Sequence, residues 1–492
     1  MKKICSLLLM LAILLACFSG CGQADEPQGE TEMTPSSTDD GSIVLWVLTD
    51  ITLWDGMNSQ VKDLMNAFKH NNDNITVNLE ILPMDAQERE TRLEKLRAEI
   101  LAGRGPDVYL LPTNNYLRLV GSNMVEDSYL IEPLFSDAEM TMHNGHFADI
   151  STYYDADDDL NKDGLITKVM DAGVIDDERY ILPLRYNIPV LYADTKRLAE
   201  FEVDQERLYS GNIMDLIDLA IETEDQLLAG GAVSALQQRG LILSLFPDAI
   251  DYDKVKLNLR QEELVAFLVK LQQVNALTKG DYAHNYAVSV DRYIKNKESL
   301  SSRRYPIKQG MLDEVIAVIS VSKATGDDIT MIPLRAIDGS LVAHVTYYGA
   351  VGSSCENPEV AYEFLRLFLQ EDAQWEYDRQ LTKDHSYAHA NFIDDGWPVR
   401  AMGAVEHLEE TCIRGLSLAY QRKEDTKLRA DDVINVDLSE EDVHDLITAQ
   451  IDEVRFRIPL EWDLRTVMSS DADVDEVAEE MIYMLELHLA EG

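Results

Sequence analysis

Basic residues are scarce in this chain of 492 residues: 43 Lys plus Arg stand against 89 Asp plus Glu, a formal charge of −46. Such a field repels the phosphate backbone and anionic lipid headgroups, so nucleic acid is excluded as an expected partner. No G-x-x-x-x-G-K-[ST] loop occurs, and with it goes an ATPase reading. No G-x-S-x-G elbow is present, and His385 and His389 lack the Glu of H-E-x-x-H, so a serine hydrolase and a zinc peptidase are both poorly supported. Internal repeats at solenoid spacing are also missing. Cysteine is rare, with five in all, too few for a disulfide scaffold.

The one long apolar run lies at the start. Met1-Lys2-Lys3 precedes an apolar stretch from Ile4 to Phe18 and then Ser19-Gly20-Cys21, the order of a secretory signal. The stretch is shorter than the roughly 20 apolar residues that span a bilayer as a helix. Phe18-Ser19-Gly20-Cys21 resembles the lipobox of bacterial lipoproteins, in which the cysteine takes a diacylglyceryl group before cleavage. Cys17 is the rival site, disfavoured by the bulky Leu15 near it, and an ordinary secretory signal ending in Cys is the plainer alternative. Two acyl chains on Cys21 meet the two-signal requirement for stable anchoring to the outer face of the cell membrane. Cys5 and Cys17 leave with the signal, so Cys355 and Cys412 alone remain to pair or to stay as buried small hydrophobes.

From 23 to 42 the sequence is rich in Glu, Asp, Pro, Ser, Thr and Gly with no periodic apolar pattern, as a tether of roughly 25 Å reach is. The remaining composition, 46% hydrophobic and 27% charged, is that of a folding globular chain. Ile43 to Leu48 reads as a buried strand, and Val61, Leu64, Met65 and Phe68 give one helical stripe. Ile75 to Leu82 alternates as a strand does, and Leu93, Leu96 and Ile100 mark a second helix with Gly103 as its C-terminal cap. Asp107 to Leu111 is a third strand. This β-α-β-α-β order predicts a parallel sheet with ligands beyond its carboxyl ends.

Further segments carry a family resemblance. Ala102-Gly103-Arg104-Gly105-Pro106-Asp107-Val108, Tyr180 to Leu184 with Val190 to Asp194, Tyr348 to Gly352 with Asn357 to Leu365, Gly396-Trp397-Pro398-Val399, and Val474 to Leu489 follow one another in the order of a known pattern. The chain resembles the extracellular solute-binding proteins of ABC importers, in the group that includes maltodextrin-binding and other sugar-binding lipoproteins. It is longer than simpler members between 118 and 178 and between 405 and 470.

The resemblance implies an α/β, periplasmic-binding-protein-like type II fold, two lobes joined by crossing strands with a ligand cleft between them. The expected division is 1–20 signal peptide, 21–42 lipidated Cys and tether, 43–186 plus 350–396 N-terminal lobe, and 187–349 plus 397–492 C-terminal lobe. It further implies a monomer that captures a solute, an oligosaccharide first, by hinge closure and hands it to separate permease subunits, without enzymatic activity or a cofactor. Ligand contacts are expected from Asp50, Trp54, Asn114, Asn115, Tyr116, Arg185, Asn187, Tyr348 and Trp397, since aromatic faces cover sugar rings while Asp, Asn and Arg satisfy hydroxyls. Packing in the core or hinge is the competing role for each aromatic.

Asp159-x-Asn161-x-Asp163-Gly164 has the spacing of a calcium loop, but position 12 is Met170 where a bidentate carboxylate belongs, so a solvated acidic turn is the preferred reading. The other functional readings are a surface glycoside hydrolase, for which no pair of carboxylates is singled out, and a sensor serving a membrane receptor. The anchor is directly testable. Cys21→Ser should free the protein from membranes and abolish lipid labelling, whereas continued labelling in Cys21→Ser and its loss in Cys17→Ser would move the site to Cys17.

Overall fold

The computed structural model describes residues 42–50, 57–83, 85–113, 116–117, 129–130, 133–194, 199, 204–235, 242–278, 307–311, 329–370, 373–374, 397–400, 448–456, 458 and 472–491. The amino-terminal half of the first sheet follows the periodicity of the sequence. Strand β1 (Ile43–Thr49) leads to helix α1 (Met57–Asn71), strand β2 (Ile75–Ile81), helix α2 (Ala86–Leu101) and strand β3 (Val108–Pro112). Both β2 and β3 pair with β1 in parallel, so two crossovers place α1 and α2 against the sheet. Val61 and Phe68 of α1 and Leu93 and Leu96 of α2 are buried in one core with Leu45, Val47 and Leu110. The Asp85 side chain accepts from the amides of Gln87 and Glu88 to start α2, and Gly103, at φ +69°, lets the chain turn left-handed at its end.

The turn Pro106-Asp107 that follows is a clasp. The Asp107 carboxylate accepts from Trp46 N at 2.8 Å, Asp107 N donates to Trp46 O at 2.9 Å, and Gly352 N donates to Asp107 O at 2.9 Å. Burial pushes the Asp107 carboxyl up, and the Trp46 amide pulls against that shift.

The remaining strands of the sheet arrive from far along the chain. Strand β4 (Ile181–Asn187) runs into β5 (Pro189–Asp194) with Ile188 alone between them, and β5 belongs to a second sheet. Helices α3 (Ile213–Thr223), α4 (Gln226–Ala235) and α5 (Gln261–Leu277) then build the second core, where β5 lies between β6 (Ile307–Met311) and β7 (Ile329–Pro333), antiparallel to both. Asn212 starts α3 in a reciprocal capping box with Asp215. The chain returns through β8 (Val342–Val351), ten residues that are all buried. Helix α6 (Pro358–Arg366), strand β9 (Trp397–Pro398), strand β10 (Glu453–Phe456) and helix α7 (Val474–Glu491) follow. Asn357 holds the N-cap position of α6 with Pro358 behind it, but its side chain makes no capping hydrogen bond.

Strand β8 is the common member. It pairs antiparallel with β3 on one side and with β4 on the other, and its first residues pair in parallel with β10. The main sheet is therefore mixed: β1, β2 and β3 form the parallel sheet expected from the sequence, β8 enters antiparallel to β3, and β4 pairs antiparallel with β8. The described residues form two cores. Phe364 and Phe368 from α6 and its extension lie in the first with Val399, Ile451 and Phe456, which come from the stretch expected in the C-terminal lobe. The second holds Leu216, Leu228, Phe267, Leu271 and, from α7, Ala478 and Leu485. The α/β class and the crossing strands β4–β5 and β8 accord with the expected fold.

Close approach at the clasp sets a local requirement. A Cβ built on Gly352 would lie 2.2 Å from Pro106 O, a backbone atom with little room to move. Gly352→Ala should cost about 1–3 kcal/mol of stability in a denaturant melt, and an unchanged midpoint would show that the clasp yields freely.

Candidate functional site

The carboxyl ends of β1 and β3 meet the crossing strand β8, where side chains turn polar although they are buried. Thr49 and Asp50 close β1, and Asp50 N donates to Leu110 O at 3.3 Å. The hydroxyls of Thr49 and Tyr347 lie 3.1 Å apart, and Tyr347 also donates to Leu110 O at 3.0 Å. Thr113, just past β3, donates from its hydroxyl to Val345 O at 2.7 Å and from its amide to Thr346 O at 3.0 Å. Burial raises the Tyr347 phenol well above its ordinary range, so it stays a neutral donor.

Asp50 is held by Arg89 of α2 in a two-pronged pair: Arg89 Nη1 donates to Asp50 Oδ1 at 2.8 Å and Nη2 to Oδ2, with both side chains almost closed to solvent. The guanidinium fork matches the two carboxylate oxygens, which fixes the end of β1 to α2. Arg89 itself was not singled out in the sequence. A signal was there, because it stands four residues before Leu93 in the apolar stripe of α2, and a charge on such a face requires a buried partner.

On the crossing strands, Arg185 and Asn187 of β4 are buried, at 2% and 0% exposure. Arg185 Nη2 donates to Gln374 O at 3.4 Å, and Asn187 Oδ1 accepts from Ile188 N at 3.0 Å, fixing the single residue between the two sheets. Gln374 in turn donates to Phe368 O at 2.6 Å and accepts from Val399 N at 3.1 Å. Beside Asn187, His344 of β8 bonds Ser244 Oγ through Nε2, joining the crossing strand to a short helix of the second core. Gln374, Ser244 and His344 carried no motif or periodicity that would have marked them.

Among the expected contact residues, the structure brings Arg185 and Asn187 onto one strand and places Asp50 at the end of β1. Tyr348 sits edge-on to Phe147 and Phe456, with centroids 6.1 and 6.0 Å away, inside the first core. Its neighbour Tyr347 carries the polar contact to Thr49. Tyr116 lies in a two-residue strand paired with Tyr129–Leu130, and Trp397 pairs with Tyr186 through its backbone. Trp54, Asn114, Asn115 and Cys21 lie outside the described residues, as do the side chains of Tyr116 and Trp397.

The acidic loop takes up its own chain's groups. Asp157 Oδ1 accepts from the amides of Asp159 and Leu160, Asp157 also meets Tyr362 OH at 2.9 Å and Arg366 at 3.2 Å, and 162–164 form a 3-10 turn behind Asn161. Asn161 O accepts from Arg400, Asp159 is 4.0 Å from Arg366, and Met170 is buried in the first core. Among the described residues, an acidic trio whose oxygens all lie within 4.8 Å of one another stands elsewhere, at Asp248, Asp338 and Glu453. Cys355 forms no disulfide among the described residues, and burial pushes its thiol up to about 12, with Asp107 adding to the shift. Cys412 is outside the described residues.

No family model matches the chain, and no curated protein matches it in sequence. Solved structures do. A de novo designed cysteine esterase is similar over 92% of this chain and 98% of its own, at 14% identity and a TM-score of 0.50. The likeness is one of fold. An extracellular solute-binding protein of family 1 from Alicyclobacillus acidocaldarius is similar over 91% of this chain and 98% of its own, at 12% identity and a TM-score of 0.49. A periplasmic oligogalacturonide binding protein from Yersinia enterocolitica is similar over 91% and 99%, at 12% identity and a TM-score of 0.48. Among the described residues, no helix is long and apolar enough to cross a membrane.

The Asp50–Arg89 pair gives a test. Removing one member leaves a buried charge without its partner, which typically costs about 3–5 kcal/mol. Arg89→Leu should lose that much in a denaturant melt, and adding Asp50→Asn should restore a large part of it; additive losses in the double variant would contradict the pairing.

Proposed function

We propose that this chain is the solute-binding component of an ABC importer, held at the outer face of a bacterial membrane through Cys21, and that its ligand is a carbohydrate. The observation that carries the reading is the meeting of strand ends and crossing strands: Thr49, Asp50, Thr113, Arg185, Asn187 and Tyr347 gather polar groups where two cores are joined by β4–β5 and β8. In open α/β sheets ligands bind beyond the carboxyl ends of the strands. Hydroxyl, amide and guanidinium groups at such a place suit a polyol, which needs many directional donors and acceptors. The order of sequence segments shared with sugar-binding lipoproteins supports the same class.

Binding, with no bond made or broken, is the action this reading assigns. A solute touching both lobes favours the closed arrangement by the difference of its affinities for the two states. Permease subunits would recognise the closed form. Calcium at Asp159, Asn161 and Asp163 forms no part of the proposal.

A thermal-shift screen of the full chain against a carbohydrate panel tests it. A true ligand at about 100 times its dissociation constant should add roughly 2.7 kcal/mol to stability, and chromatography should recover it chemically unchanged at one equivalent per protein. Progressive hydrolysis would instead identify a glycosidase, and a panel without any shift, with binding of peptides or polyamines, would overturn the carbohydrate assignment.

A further inference from the structure

One segment of the first core reaches across to the second. Its two ends are rooted in the first: Arg97 of α2 donates to Pro133 O at 2.9 Å, Ala148 N donates to Val351 O at 2.8 Å, and Ser353 N donates to His146 O at 3.0 Å. Phe135 and Phe147 stand edge-on to each other at 5.5 Å and to Tyr109 at 5.5 and 5.6 Å between centroids. Between these roots lies the short helix Ala138–His143, whose Ala138 and Met142 pack in the first core while Met140 packs in the second.

Asp137 completes the connection. It begins the helix, and its side chain is wholly shut off from solvent. Its Oδ1 accepts from the amides of Glu139 and Met140, at 2.9 and 3.1 Å, within its own segment. Its Oδ2 accepts from Tyr252 OH at 3.0 Å and lies 3.0 Å from His488 Nε2. Tyr252 belongs to the second core, in the hairpin at 250–257, and His488 is buried on α7, whose Leu485 and Leu489 line that same core. One oxygen thus serves the segment and the other serves two elements of the opposite core.

The chain itself crosses between the cores through β4–β5 and β8, and this junction adds a crossing made by hydrogen bonds. It has a definite side. Alternation along β8 turns Tyr348 to the face opposite Tyr347, and Tyr348 meets Phe147 at 6.1 Å while Tyr347 meets Thr49. The segment is therefore rooted across β8 from the Thr49–Tyr347 contact. We propose that residues 133–148 are a strap that ties the two cores together behind β8, so that they part on the side of Thr49 and Tyr347 and stay joined on the other. Parting them at the strap would strand a desolvated carboxylate oxygen without its two second-core partners, which shifts an opening equilibrium by on the order of a hundredfold or more. A minor conformer of a two-state protein is populated at roughly 0.1–10%, so the motion that spares the strap prevails. That the parting side is also the ligand's side rests on the proposed function; the strap itself does not.

Amide hydrogen exchange on the full chain tests the tie without any ligand. Tyr252→Phe removes one hydroxyl and keeps a ring in the second core. It should lower protection of Ala138–His143 and of the last turns of α7 together by about tenfold, and leave α3 as in the wild type. In the double variant Tyr252→Phe, His488→Leu, spin labels carried on keto-bearing side chains at the exposed positions Lys95 of α2 and Glu262 of α5 should report a broader distance distribution than with both residues intact. A fall in α3 and α7 with Ala138–His143 at its wild-type protection would make Tyr252 an ordinary core residue and overturn the proposal. So would an unchanged width in the double variant; if that variant does not fold, exchange in Tyr252→Phe decides alone. A carbohydrate panel without a shift would count against the proposed ligand and leave these outcomes standing.

Discussion

The structure depends on the pairing of one strand with two others. Residues 342–351 hydrogen-bond to β3 along one edge and to β4 along the other, and every residue of the strand is buried. Without it, the parallel unit β2-β1-β3 would end at an open edge, and β4 would have no route into the sheet. The Thr49, Thr113 and Tyr347 contacts are consequences of the same strand, because its backbone and side chains are what the ends of β1 and β3 meet. An unpaired buried ladder of this length would be costly, since each orphaned backbone group loses its hydration without replacement. The clasp at Asp107 and Gly352 then fixes the register at the far end.

What the sequence discloses is the part of the fold that is local. The stripe Val61, Leu64, Met65 and Phe68, the alternation of Ile75 to Leu82 and the Gly103 cap all rest on periods and turn chemistry within a few residues of one another, and each lies where that chemistry predicts. The entry of β8 between β3 and β4 is not local. Nothing in the pattern of its residues names partners that lie more than 150 residues earlier. For the same reason Tyr347 and Tyr348, adjacent and chemically alike, have different neighbours: one hydroxyl faces Thr49 and the other ring faces Phe147 and Phe456. Alternation along a strand separates the two roles only once the sheet's faces are known.

Charged residues were legible as charges and not as pairs. Asp50 is at the strand end where a ligand contact was expected, yet its two oxygens meet Arg89, whose place on the core-facing stripe of α2 supplies the missing half of the account. Asp137 sits in a stretch with no motif at all, and its partners are 115 and 351 residues away. Burial selects such carboxylates strongly, because a desolvated charge persists only where several donors converge. The large negative charge of the chain conceals them, since the composition supplies many carboxylates and only geometry distinguishes the few that are fully bonded.

The distance along the chain between β3 and β8 also governs how the molecule is made. Leu110 and the Tyr347 hydroxyl that bonds it are separated by 237 positions, so the first three strands emerge during synthesis long before the strand that covers β3 exists. Until then β3 presents a free hydrogen-bonding edge of apolar residues, the kind of template on which nascent chains associate wrongly. Contacts of such high sequence separation also make for slow folding, because the closure of the intervening loop must precede any gain from the pairing. A polypeptide of this topology completes its first domain late, only after β8 and the strands that follow it have been made.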